Sequence, residues 1–81
     1  MCYVYAIESV ATDRVYVGQT REMDERLRAH NNGYVRSTEK DRPWVLIARE
    51  RFETRSEARW CEHQLKKSRG KRKRWIEDHR L

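Results

Sequence analysis

Residues 14–33, RVYVGQTREMDERLRAHNNG, decide how this chain folds. Arg14 to Gly18 read as a short strand of β-branched and aromatic residues centred on Tyr16. Gly18 predicts a tight turn after that strand. Thr20 then predicts the N-cap of a helix over about 21–31, with Glu22 and Asp24 in a first turn where the helix dipole favours acids. Met23 and Leu27 form its core stripe, and Gly33 suits a left-handed C-cap. Arg26 and His30 stand at i and i+4, so they share a helix face. A tyrosine, an arginine and a histidine are thereby delivered to one place by a strand-turn-helix unit, which is one way to build a phosphate-handling site.

Upstream, residues 2–8, CYVYAIE, read as another strand, and the short link SVATD makes the two an antiparallel hairpin. Tyr3, Tyr5 and Ile7 then fall on one face, Val4 and Ala6 on the other. Downstream, residues 34–43 are polar and read as a surface loop with a short turn. Residues 44–52, WVLIARERF, form a third strand, apolar on both faces in its first half and therefore expected at the centre of the sheet. Thr54 and Glu57 make a capping-box pattern that opens a second helix with Ala58, Cys61 and Leu65 as its buried stripe. Gly70 predicts a break, and residues 71–79 a third helix anchored by Trp75 and Ile76. Trp44, Trp60 and Trp75 are expected as core or partly buried anchors, with stacking on a base the alternative for one of them. The fold class is α+β, a small three-stranded antiparallel sheet flanked by helices in the order β-β-α-β-α-α, and residues 1–81 are expected to form a single domain.

The chain has 81 residues, 40% of them charged, with a net charge of +6 and a pI near 9.7. So basic a composition points to a polyanionic partner, with nucleic acid the default. Lys66, Lys67, Arg69, Lys71, Arg72, Lys73 and Arg74 form a run without an acid among them. Arg36, Lys40 and Arg42 add a second group, and both suit phosphate-backbone contact. Cys2 and Cys61 make no disulfide framework, which fits a reduced, intracellular, cytoplasmic setting. No apolar run has membrane-spanning length and no signal peptide is apparent.

Phosphodiester hydrolysis needs a deprotonated water, neutralised non-bridging oxygens and a stabilised leaving oxygen. Tyr5 and Tyr16 on adjacent strands, Arg26 and His30 on one helix and Glu62 on the next supply the residue types for it. Each has a plainer reading. The tyrosines suit a cross-strand aromatic pair, Arg26 a pair with Glu22, His30 the C-terminal end of a helix dipole, and Glu62 a pair with Lys66.

Tyr3-Val4-Tyr5, ten residues, then Tyr16-Val17-Gly18 resembles the paired motif of the GIY-YIG nuclease superfamily, with Tyr3 where the family has glycine. Arg26 and His30 after the second triplet match as well, as do the third strand, Ser56-Glu57-Ala58 and Glu62-His63-Gln64-Leu65-Lys66. The closest likeness is to compact single-domain members. The resemblance implies that Tyr5 and Tyr16 line the site, with Tyr5 favoured as general base and His30 as its proton partner. It implies that Arg26 binds the scissile phosphate, that Glu62 ligates one Mg²⁺ or Mn²⁺, and that Gly18 permits the turn. The family's late asparagine has no counterpart, since no asparagine follows Asn32.

The expected function is that of a metal-dependent DNA endonuclease, structure-selective or weakly sequence-selective, leaving a 5′-phosphate and a 3′-hydroxyl. It would work as monomer or homodimer, with or without a targeting partner, in DNA repair, a mobile element or defence. The alternative is a non-catalytic nucleic-acid-binding module on the same scaffold.

Overall fold

The computed structural model describes residues 1–81. Its elements are β1 (Cys2–Ser9), β2 (Val15–Thr20), α1 (Met23–Asn31), a 3-10 turn (Glu39–Asp41), β3 (Trp44–Phe52), α2 (Arg55–Lys67) and α3 (Arg69–His79). The element order and the α+β class are as expected. β1 and β2 form the antiparallel hairpin, with Tyr5 opposite Gly18 and Ile7 opposite Tyr16. No helix is long and apolar enough to cross a membrane.

The strand at the centre is β1 and not β3, because the sheet order is β2-β1-β3. Val4, Tyr5, Ala6 and Ile7 are all 0% exposed, so β1 is covered on both faces. Two of the residues in this strand that fill its second face are tyrosines, and hydropathy alone undervalues them as core. β3 alternates instead, with Val45, Arg49 and Arg51 exposed, as suits an edge. Its outer side is partly closed by the C-terminal residues: Ala48 bridges to Arg80, and the Leu81 N–H donates to the Ile47 carbonyl at 3.0 Å.

The pleat of β1 feeds two cores. Cys2, Val4 and Ala6 pack with Val17, Ala48, Ala58, Leu65 and Trp75, beneath α2 and α3. Tyr5 and Ile7 pack with Met23 and Trp44 on the opposite face, beneath α1. Helices therefore cover both faces of the sheet. α3 buries only Trp75, whose indole N–H is satisfied by Glu50 Oε1 at 2.8 Å, so its polar tip costs little on burial.

Three boundaries differ from expectation. Thr20 ends β2, and its hydroxyl accepts from the Glu22 N–H at 3.1 Å. That makes a local turn, and α1 starts later, at Met23. Gly33 does adopt the left-handed conformation after α1, with φ of 80°. The basic run breaks at Ser68, whose hydroxyl caps α3 by accepting from the Lys71 N–H at 3.2 Å. Gly70 lies inside the first turn of α3, so the third helix begins at Arg69.

Candidate active site

The site is built on β2, an edge strand, so groups from both faces of the sheet converge around its open side. On the α1 face, Tyr5 Oη lies 2.8 Å from His30 Nε2, and His30 Nδ1 lies 2.8 Å from Thr38 Oγ1. The proton positions follow from donor counting. Thr38 has one hydroxyl proton and donates it to the Val35 carbonyl at 3.3 Å. With that bond made, Thr38 accepts from His30 Nδ1–H and His30 Nε2 accepts from the Tyr5 hydroxyl, the assignment that also gives the Tyr5 proton an acceptor. The Tyr5 oxygen in turn accepts from Arg26 Nε–H at 3.3 Å. No buried side-chain nitrogen or oxygen lacks a partner.

Burial sets the charges in this chain. His30 is 0% exposed, and burial first, then the Arg26 charge, pulls its pKa down to about 4. It is neutral at pH 7. Tyr5 is equally buried, and burial pushes its hydroxyl up to about 12, with Arg26 opposing and Tyr16 and Glu62 adding to the rise. Arg26 is held charged, chiefly by its hydrogen bond to Tyr5. The guanidinium is thus the fixed positive charge of a chain whose other members are neutral.

Tyr16 differs from Tyr5. It is half-buried, and its ring packs edge-on against His30 with centroids 5.1 Å apart. Of the two tyrosines, it is the one that reaches the surface. Tyr3, which stands where the family has glycine, is accommodated beneath the Arg49 guanidinium, 5.5 Å from its ring centre.

Gly18 does not make a turn: it lies within β2, opposite Tyr5. A Cβ there would stand 2.6 Å from Tyr5 Oη and 3.1 Å from Tyr16 Cε1. The glycine leaves room for the tyrosine hydroxyl against the strand, a close approach that any side chain would block.

On the α2 face, Glu62 and Lys66 form an ion pair at 2.7 Å, with the Glu62 side chain 17% exposed. Lys66 Nζ also sits 5.5 Å from the centre of the Tyr16 ring. This links the carboxylate to the tyrosines around the β2 edge. Gln19, Arg59, Glu62, His63 and Lys66 line a concavity of about 270 Å³ here. Behind it, burial and the charges of Glu50 and Glu62 push the half-buried Cys61 thiol up to about 11, so it is protonated at neutral pH. No three His, Cys, Asp or Glu side chains are grouped to hold a metal ion. Glu62 is the one carboxylate lining the concavity, and a hard cation held there would take most of its shell from water and substrate oxygens.

Tyr5, Tyr16, Arg26, His30 and Glu62 are therefore brought together. The basic residues are not gathered into one stripe. Arg36, Lys40 and Arg42 are exposed in the loop after α1, where Arg42 Nε donates to the Glu39 carbonyl at 2.7 Å. Lys66 and Lys67 end α2, while Arg69, Lys71, Arg72, Lys73 and Arg74 wind around the first turns of α3. Thr38, Gln19 and Arg59 join the site without having been singled out in the sequence. Arg59 stands at i−3 from Glu62, a spacing that helix periodicity does expose. Thr38 sits in an aperiodic polar loop with no local signal.

The GIY-YIG catalytic domain matches residues 1–75. Three UPF0213 proteins are similar over most of the chain. One from Natronomonas pharaonis is 35% identical over 94% of this chain and 91% of its own length. One from Bacillus velezensis is 37% identical, over 82% and 69%. One from Enterococcus faecalis is 45% identical, over 72% and 69%. No solved structure matches the chain. With the paired tyrosines, the arginine, the histidine and the glutamate converging on one strand edge, the chain belongs to the GIY-YIG family, a nuclease superfamily.

Proposed function

We propose that this protein is a DNA endonuclease that hydrolyses phosphodiester bonds with the help of Mg²⁺ or Mn²⁺. The observation that carries the reading is the Arg26–Tyr5–His30–Thr38 chain, which holds a guanidinium in place beside a surface tyrosine and a carboxylate. A basic surface and a negatively charged polymer complement each other.

Each residue then has a role. Arg26 contacts the non-bridging oxygens of the scissile phosphate, where a planar guanidinium offers paired donors. Tyr16, not Tyr5, meets the attacking water. Tyr5 is fully buried and commits its proton to His30, so it serves by holding Arg26 and packing the site. His30 keeps the Tyr5 hydroxyl oriented, and Thr38 keeps His30 in one tautomer. Glu62 would hold the metal, which supplies neutralising charge at the phosphate when bound. Lys66, released from Glu62, is free to pair with the substrate backbone. The products are a 5′-phosphate and a 3′-hydroxyl.

The Glu62–Lys66 ion pair is also what a non-catalytic binding module would contain. Cleavage of supercoiled plasmid and of a branched oligonucleotide, with Mg²⁺ or Mn²⁺ against EDTA, separates the readings. Metal-dependent cutting is expected, and Glu62→Ala is expected to lower it roughly 100-fold or more, the scale of losing one electrostatic contact to a reacting centre. DNA binding should persist in that variant. Salt-sensitive binding with no cutting in any metal would leave the binding module.

A further inference from the structure

Trp60 is 65% exposed, whereas Trp44 and Trp75 are 2% and 8% exposed. The expectation of a core anchor fails at Trp60, because it lies on the outer face of α2, away from Ala58 and Leu65. Nothing within the fold accounts for an indole there. It stacks on His63, with ring centres 6.1 Å apart and planes at 26°. With Ser56, Arg59 and His63 it lines a surface cleft of about 380 Å³ that contains no carboxylate. The neighbouring concavity, which holds Glu62, shares Arg59 and His63 with this cleft. The two therefore adjoin on the surface of α2, on either side of Arg59 and His63.

We propose that this cleft binds an unpaired base of a DNA strand, stacked on Trp60, beside the concavity that contains Glu62. Its position beside a reacting phosphate rests on the nuclease reading; the stacking itself does not. An apolar protein partner fits poorly, since none of the other exposed large apolar residues, Met1, Val10, Tyr34, Val45 and Leu81, lies on α2. A lone flat π-surface flanked by Arg59 and His63 suits a nucleobase with its backbone charge. Within a continuous duplex the base faces are stacked on one another and hidden. Only an unpaired base, as in a single strand, flap or junction, presents a face to Trp60. The cleft therefore selects the DNA structure, while Arg26 and Glu62 are indifferent to it.

The test is equilibrium binding of the intact protein in EDTA, so that no cleavage is needed to read it. The probes are a short oligothymidylate, an abasic strand of the same length and a duplex of the same length. The variants are wild type, Trp60→Ala and Trp60→Phe, each checked for native circular dichroism. Trp60→Ala should weaken oligothymidylate binding about tenfold, within the range of base–aromatic stacking. Duplex and abasic binding should change less than about twofold, and Trp60→Phe should keep most of the wild-type affinity. Equal loss on all three probes would reduce Trp60 to a structural role and overturn the proposal. So would no loss on any of them. With oligouridylate as a fourth probe, a Trp60→Ala effect seen there and absent with oligothymidylate would overturn the assignment to DNA. If stacking appears and cutting never does, the nuclease reading fails while the cleft stands.

Discussion

Tyr5 and His30, 25 residues apart in sequence, share a 2.8 Å hydrogen bond at a point where neither touches solvent. Removing the hydroxyl with Tyr5→Phe strips His30 Nε2 of its donor and Arg26 of its acceptor. A buried nitrogen left unsatisfied costs about 1–3 kcal/mol. Urea unfolding of the variant should show that loss, and plasmid cutting should fall with it as Arg26 loses its support. Stability equal to wild type would mean that another donor reaches His30.

Gly18 and Gly70 make a matched pair for a second prediction. Gly18→Ala drives a Cβ to within 2.6 Å of a hydroxyl that His30 prevents from retreating. Overpacking of this kind costs about 1–3 kcal/mol, and loss of cutting should follow. Gly70→Ala meets no atom within 4 Å in the first turn of α3 and should stabilise the helix by up to about 1 kcal/mol. Thermal melts of the two variants should move in opposite directions. If both fall alike, crowding at Tyr5 is not what Gly18 relieves.

A third prediction concerns pH. His30 is pulled from 6.5 to about 4 by burial, so between those values the unfolded chain binds a proton that the native state refuses. Stability is complete above pH 6.5 and is lost as pH falls towards 4, by about 3 kcal/mol in total. The difference in unfolding free energy between wild type and His30→Gln, followed over that window, isolates this contribution from the carboxylates. A constant difference would show that His30 accepts a proton in the native state.

The features legible in the sequence were the local ones. Alternation placed Tyr3, Tyr5 and Ile7 on one face, and helical spacing put Arg26 beside His30. The plainer reading of Glu62, a pair with Lys66, was also legible, and the structure contains it. The position of β1 at the centre was not, because burial of its tyrosines depends on α1 arriving from elsewhere in the chain. Thr38 reaches His30 only through the fold. Gly18 could be seen to matter, yet a turn and a close approach look alike in one dimension. Trp60 matched the composition of a core, and only its angle around α2, set by where Ala58 and Leu65 point, sends it outward.

Tyr5 is both a wall of the site and a member of the hydrophobic cluster with Ile7, Met23 and Trp44. Selection for a sturdier protein therefore bears directly on the candidate site. Replacing Tyr5 and His30 together by apolar residues of similar volume removes both ends of their hydrogen bond, while Thr38 keeps its bond to the Val35 carbonyl and the partly exposed Arg26 turns to water, a change that is often neutral or stabilising. If the chain cuts DNA as proposed, a lineage released from that need is free to lose the polar seam while its fold grows more robust. A screen scored on thermal tolerance alone would reach the same dead end.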